Sequence, residues 1–285
     1  MTASGQPFAA SAPHPHNSEQ TAQRQPVLFI PHGGGPCFFM DWPGTWDTMA
    51  QFLRDLSTRL PRKPDAIVVV SGHWEEAVPT VTASAQPALI YDYYGFPPHT
   101  YELKYPAPGA PDVARAIRLL LQENGLPSAQ DDTRGLDHGV FIPFMLAFPD
   151  ADIPVVELSL RTDMDPQAHI AIGRAIAPLR DRNILIVGTG MSYHNLRHFM
   201  SGSPTTNQAA QDFDTWLATA TCAPAPERDR LLTHWDTAPG ARVSHPREEH
   251  LLPLMVAAGA AGPDQGQRIY ADTVLGKPLS GFQFG

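Results

Sequence analysis

The chain holds only two cysteines in 285 residues, Cys37 and Cys222, and neither belongs to a Cys-x-x-Cys pair. That excludes a disulfide framework and a thiolate metal site, and makes a reducing, cytoplasmic compartment the expectation. Basic residues are also scarce, with 20 Lys+Arg against 29 Asp+Glu and a formal charge of −9. Such a balance does not draw in a phosphate backbone, so a nucleic-acid partner is excluded. No unbroken apolar run approaches the ~20 residues that cross a bilayer, which excludes a membrane span. The sequence has no Gly-x-Ser-x-Gly elbow, and this removes a serine hydrolase despite the glycine-rich Pro31-His-Gly-Gly-Gly-Pro36. A third glycine is missing after Gly188-x-Gly190, which argues against dinucleotide binding. Glu249-His250 is followed by Leu-Leu-Pro253, so the His-Glu-x-x-His signature of zinc proteases is absent as well.

What is present is apolar material for a core, 42% of the residues, together with twelve histidines. Residues 1–25 are rich in Ala, Ser, Pro and Gln and lack the basic start and apolar centre of a signal peptide. They read as a disordered tail ahead of one catalytic domain over residues 26–285. From Val27 onward, short β-branched runs alternate with segments of helical spacing. The runs are Val27–Ile30, Ala66–Val70, Ile153–Leu158 and Ile184–Val187; the helices are expected at Thr45–Leu60, Asp112–Asn124, Gly139–Phe148 and Asp165–Arg180, with more across Asn207–Gly259. This pattern predicts the α/β class, a single three-layer domain whose mostly parallel central sheet is flanked by helices. The tyrosine- and proline-rich stretch Tyr91–Pro108 reads as a long structured loop, of the kind that lines a pocket.

Three histidines stand just beyond expected strands: His32 after Val27–Ile30, His73 after Ala66–Val70 and His194 after Ile184–Val187. In an open parallel sheet the carboxyl ends of the strands form one crevice, so residues remote in sequence can meet there. Neutral imidazole is the commonest metal ligand, and the adjacent glycines allow close backbone approach. Pro246 suits the first turn of a helix, which would place His245 at that helix's start with Glu248 and Glu249 close by. His138 follows Asp137, a candidate N-cap for Gly139–Phe148. Cys37 near His32 reads as a packed thiol rather than a nucleophile.

These motifs, in the order His-Gly-Gly-Gly, Gly-His-Trp, Tyr-Gly-Phe-Pro-Pro, Gly-Leu-Asp-His-Gly, Pro-Asp-Ala-Asp-Ile-Pro-Val-Val, His-Asn-Leu-Arg and His-Pro-x-x-Glu-His, resemble the class III extradiol ring-cleavage dioxygenases. The resemblance is to the DOPA 4,5-dioxygenase-like branch with its LigB-type fold, and runs from Val27 to about residue 260. It implies that His32, His73 and His245 hold one divalent metal, Zn2+ or Fe2+, that His194 is the catalytic acid/base, and that His138 hydrogen-bonds the substrate. The protocatechuate branch uses two histidines and a glutamate, whereas a third histidine with Glu249 nearby suits zinc as well as iron. The remaining histidines, His14, His16, His99, His169, His198, His234 and His250, are read as structural or solvated.

The implied reaction joins a catecholic aromatic and O2 at the metal, opens the ring beside the two hydroxyls and gives a muconic semialdehyde. The implied assembly is a monomer or small homo-oligomer. Two other readings share the scaffold: a zinc-dependent hydrolase, favoured by an all-imidazole ligand set, and a non-enzymatic binding protein.

Overall fold

A computed structural model of the protein describes residues 24–199 and 203–285. Eight strands, β1 (Val27–Pro31), β2 (Ala66–Glu76), β3 (Thr80–Thr82), β4 (Ala129–Asp131), β5 (Val155–Arg161), β6 (Ile184–Gly190), β7 (Gly266–Val274) and β8 (Lys277–Phe284), form one sheet in the order β4-β3-β5-β2-β6-β1-β8-β7. The central strands β5, β2, β6 and β1 run parallel. β8 lies antiparallel to β1, and β3 antiparallel to β5. The helices are α1 (Asp47–Arg54), α2 (Pro111–Glu123), α3 (His138–Ala147), α4 (Pro166–Ile176), α5 (Leu196–Phe199), α6 (Pro204–Thr221), α7 (Ala225–Thr233), α8 (Ala241–Ser244) and α9 (Leu252–Ala261).

Alternation along the strands divides the interior in two. Phe29, Val68, Val70 and Ile186 pack with Ile170 of α4, Phe213 of α6 and Leu254 of α9. Leu28, Ile30, Val69 and Val187 face the other way, onto Leu53 of α1 and Phe141 of α3. Both faces of the parallel strands are therefore buried, which is why their sequences are continuously apolar instead of alternating. Three layers result, as the sequence pattern predicts.

Four departures from the sequence reading bear on the site. β2 continues to Glu76, with a register break against β5 between Val70 and Glu75, so His73 lies within a strand rather than after one. The helix expected at Pro246 does not form there. His245 instead closes the last turn of α8, its N–H donating to Ala241 O at 2.8 Å, and the next helix starts at Leu252 with Pro253 in its first turn. The C-terminal hairpin β7–β8 has no counterpart in the expected elements; it turns on Leu275 and Gly276 at φ 50° and 79°, the double positive φ of a type I′ turn. Finally, Gln25, expected in the tail, is fully buried and donates from Nε2 to Asn183 Oδ1 at 2.7 Å. Residues 1–23 of that tail, with His14 and His16, lie outside the described residues. Among the described residues no helix is long and apolar enough to cross a membrane.

Candidate metal centre

The carboxyl ends of β1, β2 and β6 open into one cavity of about 640 Å³. His32, His73, His138, His194 and His250 all line it. Of the sequence-predicted site residues, the structure brings His32, His73, His138 and His194 together and leaves His245 out. His245 is fully buried elsewhere, between Phe213 and Trp235 at ring-centroid distances of 5.5 and 5.8 Å, with Nε2 bonded to Ser192 O at 2.9 Å. In its place beside His32 and His73 stands His250, one of the histidines read from the sequence as structural or solvated.

The first three donors converge. One ligand atom each from His32, His73 and His250 lies within 4.8 Å of the others. His250 Nε2 stands 3.3 Å from His73 Nε2. Bonds of ~2.0–2.1 Å at near-tetrahedral angles separate two ligand nitrogens on one ion by about that distance. The buried Nε2 of His32 has no hydrogen-bond partner. An unpartnered buried acceptor is costly unless something electrophilic satisfies it.

Each of these rings is also oriented from behind. His32 Nδ1 donates to Gly33 O at 2.9 Å, and His250 Nδ1 to Glu249 Oε1 at 3.0 Å. His73 Nδ1 stands 3.6 Å from Asp92 Oδ2. Outward Nδ1 with a carbonyl or carboxylate acceptor leaves the Nε2 lone pair pointing inward, which is the arrangement around metal-bound imidazoles. Burial, reinforced by the neighbouring imidazoles, holds His32 and His250 well below the usual imidazole range and brings His73 to about 4. All three are therefore neutral at physiological pH, the state in which imidazole ligates. The described residues fit a divalent ion.

Two glycines create the room. Gly190, at the end of β6, lies so near the His250 carbonyl that a Cβ there would approach it to 2.2 Å. At Gly72 a Cβ would meet Glu249 O at 3.0 Å and His250 Cα at 3.2 Å. The segment carrying His250 can rest directly against the strand ends because neither residue has a side chain, and Met191 N–H fixes it there by donating to His250 O at 3.1 Å.

Around this centre stand two more imidazoles and two carboxylates. His194 stacks on His250 with ring centroids 3.4 Å apart, and its Nδ1 donates to the same Glu249 Oε1 at 3.0 Å. Burial works to raise the Glu249 carboxyl, but the His194 hydrogen bond, its own backbone N–H and the charge of Arg247 outweigh it and keep the group ionised. Asp92 accepts from both Nδ1 (2.7 Å) and the backbone N–H (3.0 Å) of His138. There too burial is opposed by the hydrogen bonds from His138, which hold the carboxyl low. Asp137 caps α3 by accepting from Gly139 N at 2.9 Å, which starts the helix at His138, and it accepts from Ser71 Oγ at 2.8 Å. Ser71 Oγ in turn accepts from His73 N at 3.2 Å, so one side chain steadies both histidines. Cys37 is inert here, since burial pushes its thiol up to about 12.

Asp92, Glu249 and His250 are the members that sequence reasoning missed or left aside. Glu249 and His250 carried a signal, standing in a His-Pro-x-x-Glu-His motif with two candidate histidines. Asp92 carried none, lying within the aromatic loop and remote in sequence from His138.

Residues 27–279 match the family described as the catalytic LigB subunit of aromatic ring-opening dioxygenase. The chain is 39% identical over 280 residues to Dioxygenase tasH of Hapsidospora irregularis, covering 91% of this chain and 85% of that protein. It is 42% identical over 207 residues to a 4,5-DOPA dioxygenase extradiol of Beta vulgaris, covering 70% and 75%. A protein of the same name from Escherichia coli K12 is 34% identical over 244 residues, covering 84% and 86%. The crystal structure of an uncharacterized protein from Escherichia coli K12 matches with a TM-score of 0.75 and 30% identity, over 92% of this chain and 100% of that one. With its histidine-lined cavity at the strand ends and a family match spanning nearly the whole fold, this chain belongs to the LigB family of class III extradiol dioxygenases, and is an oxidoreductase.

Proposed function

We propose that the protein cleaves a catechol-type aromatic with O2 next to its two hydroxyls, giving a muconic semialdehyde, and that His32, His73 and His250 hold the one divalent ion it needs. The observation that carries this ligand set is the convergence of three neutral Nε2 atoms, 3.3 Å apart for the His73–His250 pair, each on a ring whose Nδ1 faces an acceptor. The catechol is carried over from relatives named 4,5-DOPA dioxygenase extradiol. Bound Fe(II) would supply the redox chemistry through which catechol and O2 exchange electrons, which zinc lacks.

The chain's own residues handle protons and position. His194 gives its Nδ1 hydrogen to Glu249 and so keeps Nε2 on the opposite edge of a ring lining the cavity. That nitrogen takes the proton of a substrate hydroxyl and later returns one to the opened product, with the ionised Glu249 favouring the intermediate imidazolium. His138, locked through Nδ1 to Asp92, presents its other edge to the second substrate oxygen. The catechol ring lies in a cavity whose volume falls in the range that encloses small organic ligands.

The test is anaerobic Fe(II) loading followed by a catechol panel, recording oxygen consumption and the yellow ring-fission product together. One O2 consumed per ring opened is the expected outcome. Equal turnover in strict absence of O2 would overturn it in favour of metal-assisted hydrolysis.

A further inference from the structure

The cavity has two kinds of lining. The histidines and Asp92 supply the polar part, and Trp42, Trp46, Phe96, Leu196, Phe199 and Leu275 supply most of the apolar part. Trp46 stacks on Phe199 at 6.3 Å, and Trp42 meets Trp46 edge-on at 6.5 Å, so the apolar wall is continuous from the interior to the mouth. Trp42 is 37% exposed and Leu196 71%, and they are two of the four large hydrophobic side chains most open to solvent among the described residues. Apolar groups left exposed around a concave site are expected where a ligand covers them. Leu275 adds a second sign of selection for apolarity. It occupies a positive-φ position, 50°, in the β7–β8 turn, where Asn, Asp or Gly is the usual choice. A leucine there accepts backbone strain in order to face the cavity.

No lysine or arginine lines this cavity among the described residues. Residues 1–23 and 200–202 contain none either. A carboxylate on the substituent would thus give up water without meeting a lysine or arginine side chain, and the acidic side chain that lines the cavity, Asp92, offers it no donor.

We infer that the substrate is an uncharged catechol bearing an apolar alkyl or aryl substituent long enough to reach Trp42 and Leu196, and not an amino-acid or carboxylic-acid catechol. This rests on the ring-cleavage reading above and adds to it the class of substituent. It separates this chain's specificity from the substrate named for its DOPA-cleaving relatives.

The experiment compares two series on the Fe(II)-loaded protein: catechol with 4-methyl-, 4-propyl- and 4-pentylcatechol, and 3-(3,4-dihydroxyphenyl)propanoate with DOPA. Tryptophan quenching under nitrogen measures binding of the same compounds. In the first series kcat/KM and affinity should each rise about fourfold per buried methylene, the usual worth of that group. The propanoate should fall at least ~10-fold below 4-propylcatechol, since no contact replaces the hydration of its carboxylate. Leu196→Arg, at an exposed position the fold does not depend on, should narrow that gap about tenfold. A flat alkyl series, or carboxylated catechols bound and cleaved as well as neutral ones, would overturn the inference and leave ring cleavage standing. If no catechol were cleaved, the ring-cleavage reading would fail, and the quenching series alone would still decide whether the cavity selects apolar substituents.

Discussion

Replacing His250 by alanine separates the ligand set drawn from the geometry from the one implied by the sequence motif, in which His245 holds that place. A structural zinc site of four ligands binds with about 10–16 kcal/mol, or about 3 kcal/mol per ligand, so deleting one of three imidazoles should weaken the metal roughly 100-fold or more. His250→Ala also frees Glu249 from one of its two imidazole donors. His245→Ala should do something different. It removes a fully buried ring from between Phe213 and Trp235 and the bond to Ser192 O. The bond contributes about 1 kcal/mol and the void left by a large-to-small change about 2–3 kcal/mol, together about 3–4 kcal/mol of stability. The assay is metal content by mass spectrometry and competition with a chromogenic chelator, alongside urea unfolding of the chelator-treated proteins. Expected are a metal-poor His250→Ala with modest loss of stability, and a destabilised His245→Ala that still binds metal with wild-type affinity. The reverse pattern, full metal in His250→Ala and none in a stable His245→Ala, would refute the reasoning.

His194→Ala should keep its metal while turnover drops at least ~100-fold, the scale of general acid/base assistance; undiminished turnover would move the proton elsewhere. The His245 imidazole is lowered to about 3 by burial, against the raising effect of its bond to Ser192. A depressed imidazole stabilises the fold above the unfolded pKa near 6.5, and that contribution is lost as pH falls toward 3. His245→Phe, which refills the aromatic slot, should therefore reduce the slope of stability against pH between 4 and 6 by about 1.4 kcal/mol per unit in chelator-treated protein. An unchanged slope in urea titrations would contradict it. Glu157 on β5 is fully buried, with both carboxylate oxygens unbonded beside Asp137 and Arg134 at 3.7 Å. Burial first, and then the Asp137 charge, raise its carboxyl well above the ordinary value. The fold thus favours the protonated form, and stability falls as pH rises above the unfolded carboxyl range. Glu157→Gln should gain melting temperature at pH 8 relative to wild type and gain little at pH 4; equal shifts at both would count against a protonated Glu157.

The parallel strands were legible because they are buried on both faces, so Val27–Ile30, Ala66–Val70 and Ile184–Val187 appear as unbroken apolar runs. Their ends located His32 and His194, and β2 delivered His73 although it runs further than its apolar part. The hairpin β7–β8 was not read, because Gly266–Val274 alternates polar and apolar residues on a sheet margin and its turn uses Leu275-Gly276 in place of Asn-Gly. The exchange of His250 for His245 has a local cause. Pro246 and Pro253 both suit a first helical turn; in the fold the intervening loop rests against Gly72 and Gly190, with His250 at the cavity and His245 held between Phe213 and Trp235. Asp92 is set by contacts spanning 46 residues, and no local pattern announces it.

That approach has a consequence for which positions belong to the centre. Gly190 carries no side chain and so no charge and no reactive group, yet a single methyl group at that position would stand 2.2 Å from the His250 carbonyl and force the loop that carries His250 outward. A survey that ranks residues by the reactivity of their side chains would pass it over. The histidine cluster is assembled partly by subtraction, and a Gly190→Ala change is expected to displace His250 without touching any imidazole.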